Sequence, residues 1–338
     1  MGMSFTGQVT RIIPVEESSQ VGQVRREATQ IAVRAGFDEV DGGRVALVAT
    51  EIATNVLRHG QGGRVMLSLV HGRSSQGVEI CGVDRGPGFS LPRCLPDGFS
   101  TAGSQGQGLG AIQRQSAVFD AWSDASGAVV LSRIYPDHAG SDDLAYGGLR
   151  VPMRYESACG DGWHLDWQDR RLTVTLIDGL GHGLLASEAA DLGTAAAAEA
   201  GPLPPNEMIE RIHARMSRTR GGAVAVFSCE LGTGAAQFAG IGNISASVHG
   251  PGVPSRGMVS HPGIVGGQYR RMQPFLSQVM PGMLLVMHSD GLQTRWNLEQ
   301  YDGLFFRHPA VVAAVLHRDF DRGRDDTGVL VVRLGGLQ

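Results

Sequence analysis

Glu51 and Asn55 stand four residues apart in the run Glu51-Ile52-Ala53-Thr54-Asn55-Val56-Leu57-Arg58-His59-Gly60, a spacing that sets two side chains on one face of a helix. A carboxylate beside an amide suits phosphoryl transfer: the carboxylate takes a proton from an attacking hydroxyl, and the amide oxygen holds a magnesium ion. Taken alone, the same spacing also describes a solvated polar helix face. A second group, Val83-Asp84-Arg85-Gly86-Pro87-Gly88-Phe89, places an acid before two glycines, which is equally the pattern of an ordinary turn. A third, Gly103-Ser104-Gln105-Gly106-Gln107-Gly108-Leu109-Gly110, leads toward a helix expected over 111–119. Glycines ahead of a helix N-terminus let backbone N–H groups approach phosphate oxygens, where the helix dipole favours negative charge. Residues 106–111 also match the dinucleotide pattern G-x-G-x-x-A. That fingerprint must follow an apolar strand directly, and the polar loop at 96–105 argues against it.

The second half carries acids at strand ends and tight turns. They are Asp161 in Cys159-Gly160-Asp161-Gly162-Trp163, Asp178 in Ile177-Asp178-Gly179-Leu180-Gly181-His182-Gly183, Asp290 in His288-Ser289-Asp290-Gly291-Leu292, and Asp325 in Arg324-Asp325-Asp326-Thr327. Each alone is a turn signal. Gathered in one place, such carboxylates repel one another, and metal ions make the gathering stable. Oxygen-only ligands favour Mg²⁺ or Mn²⁺ over zinc. Two such ions about 4 Å apart can clamp a phosphate for in-line attack.

The elements that must position these residues follow from periodicity. Val21, Val24, Ala28, Ile31 and Ala35 keep helical spacing, as do Val45, Val48, Ala49, Ile52 and Val56. Val65, Leu67 and Leu69 alternate as a half-buried strand does, and further strands are expected at 78–80 and 129–131. The polar stretch from Pro136 to Asp143 reads as a linker. Beyond it, strands are expected at 172–177, 223–229, 237–241, 284–287 and 329–334, with helices at 186–200 and 309–320. Helices interrupting a mostly β sequence suit a sheet sandwich flanked by helices. The expected class is α/β (α+β) in two domains, residues 1–135 and 146–338, joined by a linker at 136–145.

A chain of 338 residues is long enough for two domains, and all 29 of its basic residues are arginine. The missing lysine excludes a Walker-A P-loop, a eukaryotic-type protein kinase and Schiff-base chemistry. With a net charge of −4 and no basic stripe, no nucleic-acid partner is expected. No apolar run approaches the roughly 18 residues needed to cross a bilayer, and the N-terminus lacks the regions of a signal peptide. Cys81, Cys94, Cys159 and Cys229 are scattered with no C-x-x-C, which suits reduced thiols in a cytoplasmic protein.

In order and spacing, the three N-terminal clusters resemble the N, G1 and G2 boxes of the GHKL (Bergerat-fold) ATPases. The resemblance spans about residues 10–135 and is to the RsbT/RsbW-like anti-sigma regulatory serine kinases, with "GLGAI", "FDAWS" and "VVLSRI" nearest to the RsbT-like group. It implies a Bergerat α/β sandwich binding ATP and Mg²⁺, with Glu51 as general base for a partner's serine and Asn55 as magnesium ligand. It further implies Asp84 on the adenine amino group, Gly86 and Gly88 shaping the adenine pocket, and Gly106, Gly108 and Gly110 forming the phosphate lid. His59 stands at a commonly polar position of the first box.

The second half resembles the PPM (type 2C) metal-dependent protein phosphatases in their SpoIIE/RsbX-like branch. "GDGW", "DGLGHG", "RGGAVAVF", "GIGNIS", "GIVGG", "SDGL" and "GRDDTGVLVV" occur in family order from about residue 146 onward. The resemblance implies a β-sandwich binding two Mn²⁺ or Mg²⁺ ions through Asp161, Asp178, the Gly179 carbonyl, Asp290 and Asp325, with Asp178 bridging. Asp326 is a neighbouring acid without an assigned part. His182 stands at a different spacing from Asp178 than the family's general-acid histidine. Thr327-Gly328 departs from the usual small-residue-then-Thr order. Together the halves imply a bifunctional switch acting on a STAS-type anti-sigma antagonist or a stressosome-like protein, with a sigma factor or a downstream phosphatase as further partners. The alternative is a phosphatase whose ATP-binding domain only regulates it or binds a partner. A soluble histidine kinase lacks support, because no dimerisation helix pair with a phosphoacceptor histidine precedes the first box.

Overall fold

The computed structural model describes residues 2–94, 108–136 and 143–335. The chain divides into an N-terminal unit, Thr10–Leu144 with Tyr301–Arg318, and a C-terminal unit, Met1–Val9 with Ala145–Gln300 and Asp319–Gln338. The first strand, β1 (Met3–Thr6), belongs to the C-terminal unit.

In the N-terminal unit, β2 (Arg11–Val15) is followed by helices α1 (Ser18–Arg34) and α2 (Glu39–Arg58). Strands β3 (Gly63–His71) and β4 (Gln76–Asp84), short helices α3 (Leu91–Cys94) and α4 (Gly108–Gln115), then strands β5 (Val118–Asp124) and β6 (Gly127–Ile134) complete it up to the linker. The strands form one antiparallel sheet in the order β2-β3-β4-β6-β5. A capping box between Glu17 and Gln20 starts α1. Asp38 caps α2 by accepting the Asp41 N–H at 2.8 Å. Glu39 and Asp41 in the first turn and Arg58 in the last complement the helix dipole. The stripe Val45, Val48, Ala49, Ile52, Ala53 and Val56 is buried against Val65, Leu67, Val78 and Ile80 of the sheet. Gly82 on β4 permits that approach, since a Cβ there would lie 2.7 Å from Ile52 Cγ2.

In the C-terminal unit, β7 (Tyr146–Val151), β8 (Asp161–Gln168) and β9 (Arg171–Gly179) precede helices α5 (Leu184–Ala200) and α6 (Pro205–Met216). Strands β10 (Gly222–Glu230), β11 (Ala235–Ile241), β12 (Ser245–Gly250), β13 (Val253–Met258), β14 (Phe275–Gln278), β15 (Leu284–His288) and β16 (Thr327–Arg333) follow. They make two antiparallel sheets, β1-β8-β9-β10-β11-β14 and β13-β12-β15-β16-β7. Helices α5 and α6 bury an Ala- and Ile-rich face, including Ala189, Ala190, Ile209 and Ile212, on Ile177, Val224 and Val226. Phe5, Tyr146 and Trp163 form an aromatic cluster with centroids 5.2–6.3 Å apart, joining β1, β7 and β8. Trp163 is thus a core residue.

Helix α7 (Pro309–Phe320) is buried along 309–318, and the segment Tyr301–Arg318 belongs to the N-terminal unit. The Trp122 indole N–H donates to the Asp302 carbonyl at 2.8 Å, and the His308 N–H to Asp120 Oδ2 at 2.6 Å. Arg133, fully buried, pairs with Glu79 at 2.7 Å and Asp143 at 2.8 Å, and the His308 ring meets Asp143 at 3.1 Å. Burial pushes the Asp143 carboxyl up, but Arg133 and His308 outweigh it and hold it well below the usual range.

Several elements differ from the sequence expectation. The helix expected at 111–119 starts earlier, at Gly108, and stops at Gln115, because Val118 and Phe119 enter β5. Strands β1, β2, β7, β8, β12, β13 and β14 and helix α6 add to the elements that periodicity indicates, several being short or carrying Gly and polar residues that obscure the period. Two segments lie across the expected division at 136–145: β1 pairs with β8, and Tyr301–Arg318 groups with the N-terminal unit. Residues 137–142 of the expected linker lie outside the described residues.

Packing at Gly82 and burial of His164 can each be tested. Gly82→Val forces side-chain atoms into Ile52 and Val56 and should destabilise the N-terminal unit by about 1–3 kcal/mol in denaturant unfolding. His164 on β8 bonds Ser4 and Thr6 of β1, each at 3.2 Å, and burial pushes its pKa down from 6.5 to about 4. The folded protein therefore favours neutral His164. Its contribution is full above pH 6.5 and is lost as the pH falls toward 4, on the order of 3 kcal/mol in total. His164→Gln should flatten the pH dependence of the melting temperature in that window.

Candidate functional sites

The N-terminal site is assembled at the C-terminal half of α2. Glu51 and Asn55 project beside the buried stripe and are half-buried. Gly108, the first residue of α4, lies directly against them: a Cβ there would sit 3.4 Å from Asn55 Oδ1 and 3.5 Å from Glu51 Oε2. The Asn55 Nδ2 is buried without a hydrogen-bond partner among the described residues. Such an orphaned donor is costly unless a ligand or water meets it.

Asp84 ends β4, and its Oδ1 accepts the Gly86 N–H at 2.9 Å. Burial raises its pKa, opposed by backbone N–H groups of Gly86 and Ala128 and by the Arg318 charge. Gly60, just past the end of α2, packs on this side chain, where a Cβ would lie only 2.5 Å from Asp84 Cβ, and Gly86 packs in turn on Gly60. Gly88 has φ +72°, and a Cβ there would meet the Asp124 carbonyl at 2.1 Å, so only glycine fits. The first cluster therefore touches the second through Gly60 and the third through Gly108. Gly110 is buried in α4, whereas Gly106 lies outside the described residues. His59 is exposed and contributes its backbone N–H to the Asn55 carbonyl as the C-cap of α2.

The C-terminal site lies where strands of both sheets end. Asp161 opens β8 and stands directly opposite Asp178, near the end of β9. Ser289 donates its hydroxyl to Asp161 Oδ2 at 2.5 Å and accepts the Gly328 N–H at 3.0 Å. Asn243 donates to Asp290 Oδ2 at 2.6 Å. Asp326 is committed elsewhere, accepting the Met153 N–H at 2.7 Å and the Gly160 N–H at 2.8 Å. It fixes the two turns that flank Asp161. Gly179 cannot carry a side chain, since its Cβ would lie 2.3 Å from the Ala186 carbonyl.

Electrostatics shows that these acids share one field. Burial raises the pKa of Asp178, and the charges of Asp161, Asp290, Asp325 and Asp326 raise it further. Asp161 is likewise raised, by burial and then by Asp326 and Asp325. Asp290 is raised by burial and by Asp325, against the opposing pull of Arg322. Such mutual destabilisation is what cations relieve, and the all-oxygen donor set fits hard divalent ions. Among the described residues, no three acidic, imidazole or thiol side chains close into a preformed cage. His182 turns to Glu156, its Nδ1 3.2 Å from Glu156 Oε1 on an exposed surface.

Sequence reasoning does not assign Ser289, Asn243 or Glu156. A signal for the first two is present, since both stand inside the motifs "SDGL" and "GIGNIS". The four cysteines form no disulfide, and among the described residues no helix is long and apolar enough to cross a membrane.

Comparison with known proteins finds relatives of two kinds. Residues 14–132 match the histidine kinase-like ATPase domain family. Over 91 residues the chain is 32% identical to the serine/threonine-protein kinase RsbT of Bacillus subtilis (strain 168), spanning 27% of this chain and 68% of that protein. Over 141 residues it is 26% identical to the phosphoserine phosphatase RsbX of the same organism, spanning 40% of this chain and 69% of that protein. A chain of the solved structure described as "The bacterial stressosome: a modular system that has been adapted to control secondary messenger signaling" shares its fold over 56% of this chain and 100% of its own, at 24% identity and a TM-score of 0.52. Through its N-terminal part the chain belongs to the family of the RsbT serine/threonine-protein kinase, and as a whole it is a fusion of that kinase type with an RsbX-like phosphatase type.

Proposed function

We propose that this chain both adds and removes phosphate on serine or threonine of a STAS-domain antagonist in a bacterial partner-switching pathway. The observation that carries the reading is the gathering of Asp161, Asp178, Asp290 and Asp325 into one field that raises pKa values within it. A fold gains nothing in stability from such a cluster, so a chemical task is its simplest cause.

In the phosphatase reaction, Asp161, Asp178, the Gly179 carbonyl, Asp290 and Asp325 would hold two Mg²⁺ or Mn²⁺ ions. When bound, these supply the positive charge that offsets the carboxylates and polarises the phosphate ester. Ser289 keeps one Asp161 oxygen oriented, Asn243 does the same for Asp290, and Asp326 anchors the turns around Asp161. In the kinase reaction, Glu51 would accept the proton of the attacking hydroxyl, and Asn55 would hold the magnesium ion. Asp84 would meet the adenine amino group, Gly86 and Gly88 would shape its pocket, and Gly106, Gly108 and Gly110 would cover the phosphates. The contact of Gly108 with Glu51 and Asn55 supports this reading.

A second reading makes the N-terminal unit a nucleotide-responsive regulator of the phosphatase. Arg318 favours it: its carbonyl accepts from Arg85, its guanidinium reaches Ser126 at 3.3 Å, and its charge acts on Asp84. From Arg318 the chain runs on directly into the loop that carries Asp325.

One experiment separates these readings. Purified protein is incubated with labelled ATP, Mn²⁺ and a STAS-domain antagonist, comparing wild type, Glu51→Ala and Asp178→Ala. The switch requires label to accumulate on the antagonist with Asp178→Ala. With Glu51→Ala, transfer should fall at least ~10²-fold. Equal transfer by wild type and Glu51→Ala would refute the general-base role, and an antagonist that keeps its phosphate with wild type would refute the phosphatase role for that substrate. Gly108→Leu, which sets side-chain atoms on Glu51 and Asn55, should weaken ATP binding by titration calorimetry while phosphatase activity persists.

A further inference from the structure

A recess in the C-terminal unit is lined by residues that neighbour its acids in sequence, across the sheet or by hydrogen bond. A cavity of about 430 Å³ has Leu180, Ala223, Asn243, Pro262 and Gly263 in its lining. Leu180 follows Asp178 and Gly179, Ala223 pairs with Asp178 across the sheet, and Asn243 holds Asp290. Pro262 and Gly263 also line a second cavity of about 970 Å³, together with Glu210, His213, Tyr269, Arg270 and Arg271. The two cavities therefore adjoin at Pro262 and Gly263, one beside residues that neighbour the acids and the other lined by two arginines, and we read them together as a groove.

The groove has a fixed wall. Gly222 and Val265 exchange backbone hydrogen bonds at 2.9 Å each, and the Ile264 N–H donates to the Gln268 carbonyl at 2.9 Å. The Gly266 N–H donates to His213 Nδ1 at 2.9 Å, and the same ring meets Tyr269 edge-on at 5.1 Å. A Cβ at Gly266, with φ +86°, would lie 2.8 Å from the Met216 carbonyl, which locks this loop onto the end of α6. A loop held this way presents a preformed surface, so little ordering opposes binding.

Its chemistry is graded along its length. Near the acids the lining is apolar and exposed, with Leu180 at 50% and Ile264 at 37%. At the far end Arg270 has no acidic partner among the described residues. Arg271 pairs with Glu210 at 3.3 Å, but the two side chains are 86% and 46% exposed. A pair so solvated is weak and readily exchanged for a better carboxylate. Guanidinium groups bind carboxylates in a bidentate fork, which makes this end selective for acidic side chains.

We propose that this groove binds the stretch of the protein substrate next to its phosphoserine and selects acidic residues in that stretch. The phosphate lies at the carboxylate cluster, an apolar residue rests on Leu180 and Ile264, and Asp or Glu side chains reach Arg270 and Arg271. The assignment rests on the phosphatase reading above and adds to it the class of sequence that is recognised.

The test uses the full-length protein with Mn²⁺ and three substrates. These are p-nitrophenyl phosphate, a synthetic phosphoserine peptide with Asp and Glu on both sides of the phosphoserine, and a peptide of equal length with Ala and Ser instead. Wild type should favour the acidic peptide about tenfold in kcat/KM, chiefly through KM. Arg270→Glu/Arg271→Glu should abolish or reverse that preference while hydrolysis of p-nitrophenyl phosphate stays within about twofold. Arg270→Ala, which leaves the Glu210–Arg271 pair intact, should lose about threefold on the acidic peptide alone. Equal use of both peptides by wild type, or a preference that survives charge reversal, overturns the groove assignment and leaves the phosphatase reading standing. So does hydrolysis of p-nitrophenyl phosphate with neither peptide accepted. If wild type hydrolyses none of the three, the phosphatase reading fails and the groove assignment falls with it.

Discussion

Carboxylates brought close together in a poorly hydrated place raise one another's pKa, and the C-terminal unit is arranged around that repulsion. Asp161 and Asp178 face each other across β8 and β9, while Asp290 and Asp325 arrive from the end of β15 and the approach to β16. Nothing in sheet packing calls for this meeting, and it is held by bonds made to the acids themselves. Ser289 ties Asp161 to the backbone of Gly328, so the two sheets are joined at the place where charge is densest. Asp326 illustrates a different use of the same residue type. Two backbone N–H groups occupy its oxygens, and it acts as a clasp.

The N-terminal site depends on close approach more than on repulsion. Gly60 and Gly86 let the backbone and Asp84 approach more closely than any larger residue would allow without displacement, and Gly108 lies in contact range of Glu51 and Asn55. One polar atom there, Asn55 Nδ2, is left without a partner among the described residues. In the proposed reading both sites handle phosphate without any lysine, and amide, glycine backbone and divalent ions would take the role that a P-loop lysine fills elsewhere.

Much of this was legible in the sequence, and the reasons are physical. Residues adjacent along the chain, such as Glu51 and Asn55, have a relation set by helix geometry alone. The order of glycine and acid clusters could likewise be read without coordinates. What could not be read is long-range pairing. β1 is four residues long and finds its partner in β8, and no local period announces such a match. The helix expected at 111–119 ends early because Val118 and Phe119 suit either a helix or a strand, and only pairing with β6 decides between them. Ser289 and Asn243 are visible inside motifs, but their hydrogen-bond partners are distant in sequence.

The grouping of Tyr301–Arg318 with the N-terminal unit, and of β1 with the C-terminal one, has a practical corollary for dissecting the molecule. A boundary drawn at residues 136–145 severs both exchanges. The front fragment would lose His308, which meets Asp143, and Arg318, whose charge acts on Asp84. The rear fragment would lose the strand that covers the edge of β8 and leave the bonding groups of that edge exposed to water or to another chain. An inactive fragment cut there would report on an unfinished fold, so the chemistry of each half is best separated by point substitution within the intact chain.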